Sequence, residues 1–246
     1  MRRLRPAAAA VALLTVVLAG CSSAEPEPTG HDTAPVTSEL PAESWIATAG
    51  EERVEVFASP GDSEPGTVLA AEDVVSVPGQ IPLTFLVAEQ QDDWVQVHLP
   101  VRPNGTTGWL RAEDVSLTST EFRIEVHLDD HRLLLHHGDA VVMNVKVAVG
   151  REDVPTPGGV YYIKELLQPP QAGGPYGAYA YGLSGYSPVL ESFAGGDGVI
   201  GIHGTNEPES IGTDVSHGCI RMLDEDVTRM AEEFGLPLGT PVEIFA

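Results

Sequence analysis

Short runs in which apolar and polar residues alternate recur along the chain from about residue 50 onwards. The clearest runs span residues 53–57, 94–99 and 122–128. Alternation with a period of two is typical of strands that bury one face, because successive side chains of a strand point to opposite sides. The pattern therefore predicts a mainly β protein with few helices.

Turn residues separate the strands of a first predicted domain, residues 49–118. Asn104 and Gly105 form a hairpin signal that leads into Gly108 and Trp109. Strands this short, without a helical period, predict a small β-barrel. The placement of Trp94, Gly108 and Trp109 resembles that in bacterial SH3-like domains. We expect both tryptophans to lie in the barrel core, since large aromatic residues dominate small cores; contact with a ligand is the alternative.

A second β-rich domain is predicted for residues 119–246. Residues 168–187 are rich in Gly and Pro, so we expect a long connection without a packed element, of the kind that often forms a lid. Near the end, apolar residues at helical spacing predict one helix that begins at Asp224 or Glu225 and ends at Gly235. Its buried face would comprise Val227, Met230, Ala231 and Phe234.

The composition narrows the class of function. The chain has 246 residues, of which 42% are hydrophobic and 20% charged, which excludes a wholly disordered chain. It carries 13 basic and 36 acidic residues, a net charge of −23. This acidity argues against nucleic-acid binding and against electrostatic docking on anionic lipid. Two cysteines cannot make a disulfide framework.

The N-terminal segment predicts export. Basic residues precede an apolar run at residues 7–19 that is too short to span a bilayer comfortably, as in a signal peptide covering residues 1–20. The Leu-Ala-Gly-Cys sequence at residues 18–21 resembles the lipobox of bacterial lipoproteins. That resemblance implies cleavage before Cys21 and lipidation of its sulfur. The protein would then be anchored by lipid on the outer face of the cytoplasmic membrane, facing the cell wall. An ordinary secretory signal is the alternative.

Removal of residues 1–20 would change the charge and leave a tether. It takes away three of the 13 basic residues, so the mature chain would carry 10 basic and 36 acidic groups, a net charge of −26. Residues 21–48 are rich in Ser, Glu, Pro, Thr and Ala and predict a flexible tether. With Cys21 lipidated, Cys219 would be the remaining thiol.

Histidine, glycine and cysteine cluster between residues 203 and 219. A free thiol has a reference pKa of about 8.5, and a nearby imidazole can take its proton and leave an ion pair. His203 ends an apolar, strand-like run, and His217 would lie beside Cys219 if that segment is extended. Gly204 and Gly218 allow the backbone to come close to a substrate, and their neighbouring N–H groups could form an oxyanion hole.

Two other interpretations of this cluster stay open from the residues alone. The two histidines and the cysteine could hold a catalytic zinc ion as three ligands. Alternatively, Cys219 could be a buried apolar residue and the histidines satisfied core groups. Four further histidines lie on or beside strands and are expected to be solvated: His127, His131, His136 and His137.

The sequence HGTNEPESIGTDVSHGCIRM at residues 203–222 resembles the signature of the L,D-transpeptidase catalytic domain. Supporting features are Val149–Gly150, the Thr-Pro-Gly turn at residues 156–158 and the Gly-Thr-Pro-Val segment at residues 239–242. The resemblance implies Cys219 as the nucleophile and His203 as general base and acid. A backbone carbonyl close to the histidine, for which Gly204 is the candidate, would orient the ring.

The resemblance also implies the reaction and the partners. The enzyme would form 3–3 cross-links between peptidoglycan stem peptides through a thioester on Cys219, without a metal or an organic cofactor. His217, Gly218 and Cys219 would shape the oxyanion site. Ser216 and Arg221 would bind a substrate carboxylate or brace the loop. A tyrosine-rich segment would form a flap over the donor peptide or a surface loop that packs its own aromatic rings; its tyrosines are Tyr176, Tyr179 and Tyr181.

Two rival functions remain at this stage. One is L,D-carboxypeptidase or other cysteine amidase action on stem peptides, in which water replaces the acceptor amine. The other is a non-enzymatic, wall-binding lipoprotein whose cysteine is incidental.

Overall fold

The computed structural model describes residues 40–77, 79–171, 173–193 and 196–246. The predicted signal peptide, Cys21 and residues 21–39 of the predicted tether lie outside these ranges. Strands dominate the described residues, which confirms the predicted mainly β class. No helix in these ranges is long and apolar enough to cross a membrane.

The N-terminal module, residues 44–120, is built from short strands. Its elements are β1 (Ser44–Ala49), β2 (Arg53–Val56), β3 (Thr67–Ala70), α1 (Ala71–Val74), β4 (Thr84–Gln91), β5 (Trp94–His98), β6 (Thr107–Arg111) and β7 (Val115–Thr120). Five of the strands form an antiparallel sheet in the order β6-β5-β4-β1-β7, while β2 and β3 pair with each other. A bridge between Phe57 and Trp109 links the two layers. The likeness of this module to SH3-like domains stays a prediction.

Strand β1 corrects the predicted tether. Residues 44–48 were expected to be flexible, yet they pair with β4 on one side and with β7 on the other. Ile46 and Ala47 are fully buried in this central strand. The small residues of SWIATA give only a weak alternation, so the sequence pattern merges with the preceding Ser- and Ala-rich segment. The prediction of a tether that reaches residue 48 is therefore wrong from Ser44 onwards.

The two tryptophans of this module differ in burial. Trp109 is 8% exposed and lies in the core, as predicted. Trp94, the first residue of β5, is only half-buried, so its prediction as a core residue is wrong; its ring meets Phe57 edge-on with 5.0 Å between the ring centroids. Edge-to-face packing of this kind adds a modest stabilisation to the burial of the rings.

The C-terminal module, residues 121–246, centres on a larger sheet. Its elements are β8 (Phe122–His127), β9 (Arg132–His137), β10 (Ala140–Lys146), β11 (Val149–Gly150), β12 (Gly159–Leu167), β13 (Ala180–Tyr186), β14 (Val199–His203), β15 (Asp214–Ser216), β16 (Ile220–Arg221), α2 (Asp224–Arg229) and β17 (Pro241–Phe245). Eight strands pair in the order β10-β9-β8-β17-β12-β13-β14-β16. The pairs β17–β8 and β14–β16 are parallel. The short strands β11 and β15 pair separately.

The predicted helix is confirmed. Helix α2 begins at Asp224 and continues from residue 230 to 234 as a π-helical turn. It ends at Gly235, which has a φ of 58° in the left-handed region that favours glycine. Val227 and Met230 are fully buried, so the helix packs the expected face onto the core.

The expectation for residues 168–187 is wrong in its second half, because β13 spans residues 180–186 and lies between β12 and β14. Its glycines serve close packing. A Cβ atom at Gly182 would lie 2.6 Å from the Glu165 side chain, and one at Gly185 would lie 2.4 Å from the Tyr161 ring. Large neighbours on β12 therefore require glycine in this strand, which disguises the strand in the sequence.

The predicted solvation of the four histidines is wrong for His136. This residue is 7% exposed, and its Nδ1 atom accepts a hydrogen bond of 3.0 Å from Arg123. Its Nε2 atom lies 3.2 Å from a carboxylate oxygen of Glu125. Burial lowers the pKa of His136. A polar cluster is thus buried on the face of β8 and β9 that points away from the main core.

The two modules share a boundary that is well packed. Tyr162, on β12 of the C-terminal module, is fully buried and belongs to the apolar core of the N-terminal module. Its backbone N–H donates a hydrogen bond of 3.1 Å to Ser184 Oγ within its own sheet. One strand of the larger sheet therefore contributes to the cores on both of its faces.

Candidate active site

A cleft of about 440 Å³ runs along this boundary. The C-terminal module supplies one side with residues of β12, β13 and β14 and with Cys219. The N-terminal module supplies residues 72–76, in and after α1. His203 and Cys219 both line the cleft, so the fold brings the two predicted catalytic residues to the same cavity.

His203 is the last residue of β14 and is 5% exposed. Its Nδ1 atom lies 2.6 Å from the carbonyl oxygen of Gly204. A carbonyl only accepts hydrogen bonds, so Nδ1 carries the proton and Nε2 keeps a free lone pair. Burial lowers the pKa of His203 to about 4, while the bond to Gly204 opposes this shift. The imidazole is therefore neutral at neutral pH, in the tautomer of a general base.

Cys219 directly precedes β16, which pairs in parallel with β14. This register aligns Ile220 with Ile202 and so sets Cys219 beside the end of the strand that carries His203. The thiol Sγ lies 3.9 Å from the carbonyl oxygen of Val199, to which it donates. Burial raises the pKa of the Cys219 thiol, against a hydrogen bond from the Gly201 backbone. These shifts favour a neutral thiol and a neutral imidazole at rest over the expected ion pair.

The hydroxyl of Ser216 braces the loop that carries the cysteine. Ser216 Oγ donates a hydrogen bond of 2.6 Å to the Cys219 carbonyl and accepts one of 3.1 Å from the Gly218 N–H. Ser216 is only 1% exposed. Of the two predicted roles of Ser216, these contacts favour bracing the loop over binding a substrate carboxylate, because the side chain is not among the residues that line the cleft.

Thr156, noted in the sequence only as part of the Thr-Pro-Gly turn, holds the same loop from another element. Its Oγ1 donates to the Gly218 carbonyl at 2.9 Å and accepts from the Gly150 N–H at 2.8 Å. Thr156 is 3% exposed. One hydroxyl thus joins the turn at residues 155–158 to the cysteine loop. A threonine between two prolines was the only local signal for this contact.

The predicted oxyanion groups take different positions from those expected. The segment at residues 217–219 is not a strand, and Gly218 has a φ of 108°. His217 therefore does not lie beside Cys219 as a strand neighbour; its ring stacks on Phe193 with 4.8 Å between the ring centroids. The Gly204 N–H donates to the Tyr179 carbonyl at 3.2 Å, and the Gly218 N–H is taken up by the serine bond described above. Both glycine N–H groups are thus already bonded.

The three predicted flap tyrosines separate. Tyr176 lines the cleft, and its ring meets the His203 ring edge-on at 4.9 Å. Tyr179 is half-buried, and its hydroxyl donates to Glu232 at 2.8 Å. Tyr181 also borders the cleft, but it lies on β13 and is fully buried, so its assignment to a flap is wrong. In the sequence, a tyrosine beside a glycine in this strand was indistinguishable from the tyrosines of the preceding loop.

Asp224, another residue that sequence reasoning left without a role at the site, fixes the neighbourhood of His203. Its Oδ1 accepts a hydrogen bond of 2.9 Å from the Ala178 N–H. A Cβ atom at Gly177 would lie 1.9 Å from this oxygen, and one at Gly204 would lie 2.1 Å from it. The carboxylate at the start of α2 thus occupies the space left by two glycines, one of which supplies the carbonyl that orients His203.

Arg221 lies next to the site and is paired. Its guanidinium lies 2.8 Å from a carboxylate oxygen of Glu207, with 19% of the side chain exposed. Its positive charge contributes to lowering the pKa values of both His203 and Cys219. A role of Arg221 in binding a substrate carboxylate stays a prediction. Among the residues that the structure describes, no group of three or more His, Cys, Asp or Glu side chains is arranged to hold a metal ion.

The C-terminal half of the chain matches a known protein family. The family model of the L,D-transpeptidase catalytic domain, YkuD, matches residues 121–244, half of the chain. A Bacillus licheniformis protein named L,D-transpeptidase YkuD is 40% identical over 123 residues, which are 50% of this chain and 65% of that protein. Its namesake from Bacillus subtilis strain 168 is 38% identical over the same shares of the two chains. The match thus spans less than two thirds of these relatives.

The chain is also similar to a solved structure. The catalytic domain of an Enterococcus faecium L,D-transpeptidase is 26% identical, with 50% of this chain and 96% of that chain covered and a TM-score of 0.35.

Proposed function

Because the chain belongs to the L,D-transpeptidase catalytic domain family, we propose that it is a cysteine acyltransferase acting on the stem peptides of peptidoglycan. The donor would be a tetrapeptide stem, and the product a 3–3 cross-link to a neighbouring stem. The observation that carries the proposal is that His203 and Cys219 line one cleft, with the imidazole fixed in the tautomer that leaves Nε2 free to accept a proton.

The first half-reaction forms a thioester. Cys219 Sγ attacks the carbonyl carbon of donor residue three while His203 Nε2 takes the thiol proton. The tetrahedral intermediate then collapses, the carbon–nitrogen bond to D-alanine breaks, and the imidazolium returns the proton to the leaving amine. Since both groups start neutral, charge develops only during attack. For His203, the drop in pKa to about 4 corresponds to roughly 3 kcal/mol against the isolated imidazolium. The anion formed in the same step offsets this cost.

The second half-reaction transfers the acyl group. An amine of a neighbouring stem attacks the thioester, His203 accepts a proton from that amine, and the thiolate of Cys219 leaves and is reprotonated. The same imidazole serves both halves because its Nδ1–H bond to the Gly204 carbonyl keeps the ring in one orientation.

The backbone N–H of Cys219 is the donor that we assign to the developing oxyanion. The N–H groups of Gly204 and Gly218 already donate to Tyr179 and Ser216, so using them would require those bonds to break. The hydroxyls of Ser216 and Thr156 hold the Cys219 and Gly218 carbonyls and thereby fix the orientation of the peptide group that carries this N–H.

The decisive experiment follows the products directly. The purified full-length protein is incubated with disaccharide-tetrapeptides, and the products are identified by mass spectrometry beside the variants Cys219→Ala and His203→Ala. We expect cross-linked dimers and free D-alanine from the wild type and neither from Cys219→Ala. A carbapenem should add its mass to the wild type at Cys219 and leave Cys219→Ala unmodified.

Two outcomes would change the proposal. Tripeptide and free D-alanine without dimers would mean that water resolves the thioester, as in an L,D-carboxypeptidase. A wild type that neither turns over the tetrapeptide nor forms an acyl-enzyme with a carbapenem would contradict enzymatic function altogether.

We also propose that the protein acts at the cell surface through a lipid on Cys21. This proposal rests on the lipobox-like sequence at residues 18–21, which lies outside the described residues. In cells that process lipoproteins, Cys21→Ala should release the protein from the membrane fraction, whereas Cys219→Ala, the matched control, should leave it there. Retention of the Cys21→Ala variant in the membrane fraction would contradict the anchor.

A further inference from the structure

One edge of the cleft is formed by a segment that we call the rim segment, residues 187–193 and 196–198. Phe193 and Asp197 of this segment line the cleft. The chain continues from it into β14, whose first residue, Val199, accepts the hydrogen bond from the Cys219 thiol. The rim segment is therefore connected both to the cavity and to the strand that leads to His203.

Within the C-terminal module, the rim segment has hydrogen bonds between its own two halves and one ring contact with another element. The Ser187 N–H donates to the Gly198 carbonyl at 2.8 Å, and Phe193 and Gly196 exchange two bonds of 2.9 Å. Phe193 stacks on His217. Between these contacts the segment is open to solvent, with Val189 54% exposed and Phe193 41% exposed.

The N-terminal module holds the rim segment through hydrogen bonds from Arg102. Arg102 Nη1 donates to the Ser187 carbonyl at 2.7 Å, and Arg102 Nη2 donates to the carbonyls of Leu190 and Asp197 at 2.9 and 3.0 Å. These carbonyls come from both halves of the rim segment. One guanidinium thus adds a side-chain link between the two halves to their backbone hydrogen bonds, which suits the fixed, planar donor fork of arginine.

Two neighbouring contacts fix the position of this arginine. Its guanidinium lies over the Tyr186 ring, 4.7 Å from the centroid. Asn104 forms a reciprocal pair with the backbone of Tyr186, through bonds of 2.8 and 2.9 Å. On the far side of the cleft, Ser76 donates two bonds to the buried Glu165 carboxylate, so the N-terminal module is attached at both edges.

We propose that Arg102 is a positioning residue for substrate: by joining the two halves of the rim segment, it sets the width of the cleft beside Cys219 for a stem peptide. The N-terminal module then completes the substrate site from both edges. This proposal rests on the proposed function for the identity of the substrate, whereas the clamp on the rim segment is independent of it. Arg102 acts through the rim and touches no reacting atom.

The test compares three variants of the full-length protein. Arg102→Ala removes the clamp, and Arg102→Lys keeps the charge without the fork. Arg111→Ala is the matched control: Arg111 belongs to the same module, and its guanidinium contacts Glu55 at 3.0 Å and lies 4.5 Å from the Phe57 ring centroid. For each variant, amide hydrogen exchange of the rim segment and kcat and KM for a disaccharide-tetrapeptide are measured.

For Arg102→Ala we expect faster exchange at the Ser187 and Phe193 amides and a KM raised about five- to tenfold, with kcat changed less than about twofold. Arg102→Lys should fall between this variant and the wild type, and Arg111→Ala should match the wild type in both measurements.

Unchanged rim exchange in Arg102→Ala would overturn the clamp. Faster exchange with an unchanged KM would overturn the role in substrate positioning, and so would a fall in kcat alone. Wild-type exchange in Arg102→Lys would overturn the need for the fork. If the wild type did not turn over the tetrapeptide, the proposed function would fail, while the exchange data would still decide the clamp.

Discussion

The loop that carries Cys219 and the rim segment border the same cleft, but they are held in different ways. The cysteine loop is fixed from within its own module by two buried hydroxyls, those of Thr156 and Ser216. The rim segment is solvent-exposed between its buried ends, and three of its carbonyls are held by a cation from the other module, Arg102. Buried bonds without access to water are costly to break, whereas exposed ones exchange readily with water.

This difference means that the position of the nucleophile and the width of the substrate cleft depend on different contacts. The hydrogen bonds described for the cysteine loop come from residues of the C-terminal module. The width of the cleft depends on how the N-terminal module contacts Ser187, Leu190 and Asp197. Substitutions that disturb the cysteine loop should therefore alter thiol reactivity. Substitutions that disturb the rim segment should alter the binding of substrate.

The largest effect should come from replacing His203, the base beside the nucleophile. His203→Asn removes the proton acceptor, so we expect the rate of carbapenem acylation of Cys219 to fall about 10²- to 10⁴-fold, measured by intact-protein mass spectrometry. The matched variant His217→Asn should lose less than about tenfold, because His217 stacks on Phe193 of the rim. Equal losses in the two variants would show that the two histidines share the role of base.

The buried brace should give the next largest effect. Thr156→Val keeps the shape of the side chain but leaves the Gly150 N–H and the Gly218 carbonyl without their partner. We expect a loss of about 2–4 kcal/mol in the free energy of unfolding, measured with urea, together with slower acylation. Thr118→Val, at an exposed position of β7, is the control and should change neither. A stable Thr156→Val variant with normal acylation would mean that the cysteine loop keeps its conformation without the hydrogen bonds of Thr156.

The pH dependence of stability should be smaller and has a defined sign. Burial puts the folded-state pKa of His203 at about 4, below the 6.5 of an exposed histidine. Between these values the unfolded chain binds more protons, so stability is full above pH 6.5 and is lost as the pH falls toward 4.

The size of this loss can be measured against a variant. For His203 alone we expect about 2 kcal/mol between pH 7.5 and 5. His98 and His136, whose pKa values burial also lowers, add to the loss in the same direction. Urea unfolding at several pH values should show a shallower slope for His203→Asn. Parallel curves for the variant and the wild type would contradict a buried, neutral His203.

The smallest effect should come from removing the contact of Asn104 with the Tyr186 backbone, next to the rim segment. Asn104→Ala removes the pair with the Tyr186 backbone but leaves the three bonds of Arg102. We expect KM for the tetrapeptide to rise about two- to threefold, with the rate of carbapenem acylation unchanged. A reduced acylation rate at constant KM would mean that Asn104 affects the cysteine loop. The proposed separation between the cysteine loop and the rim segment would then be wrong.

The sequence predicts those parts of the molecule in which local pattern decides structure. Alternation predicts the β class, and the spacing from Val227 to Phe234 predicts the terminal helix with its stop at Gly235. His203 and Cys219 are recognisable because a thiol and an imidazole with adjacent glycines lie within one short segment.

The features that the sequence does not predict depend on partners that are far away along the chain. Thr156 is 62 residues from the carbonyl that it holds, and Arg102 is 85–95 residues from its three acceptors. Strand β13 looks like a loop because Glu165 and Tyr161, on the next strand, require glycines opposite them. His136 looks solvated until Arg123 and Glu125 are seen to enclose it. In each case the partner is fixed by tertiary packing and leaves no periodic trace.

Tyr162 limits how far the two modules can be exchanged. Its side chain fills the apolar core of the N-terminal module although it belongs to a strand of the other one. A fragment that ends at residue 120 would lack that ring, and its core would contain a void the size of a tyrosine; a fragment that begins at residue 121 would expose the ring to water. The N-terminal module is thus not a portable part that could be grafted onto another protein unchanged, and transplantation would require both modules together.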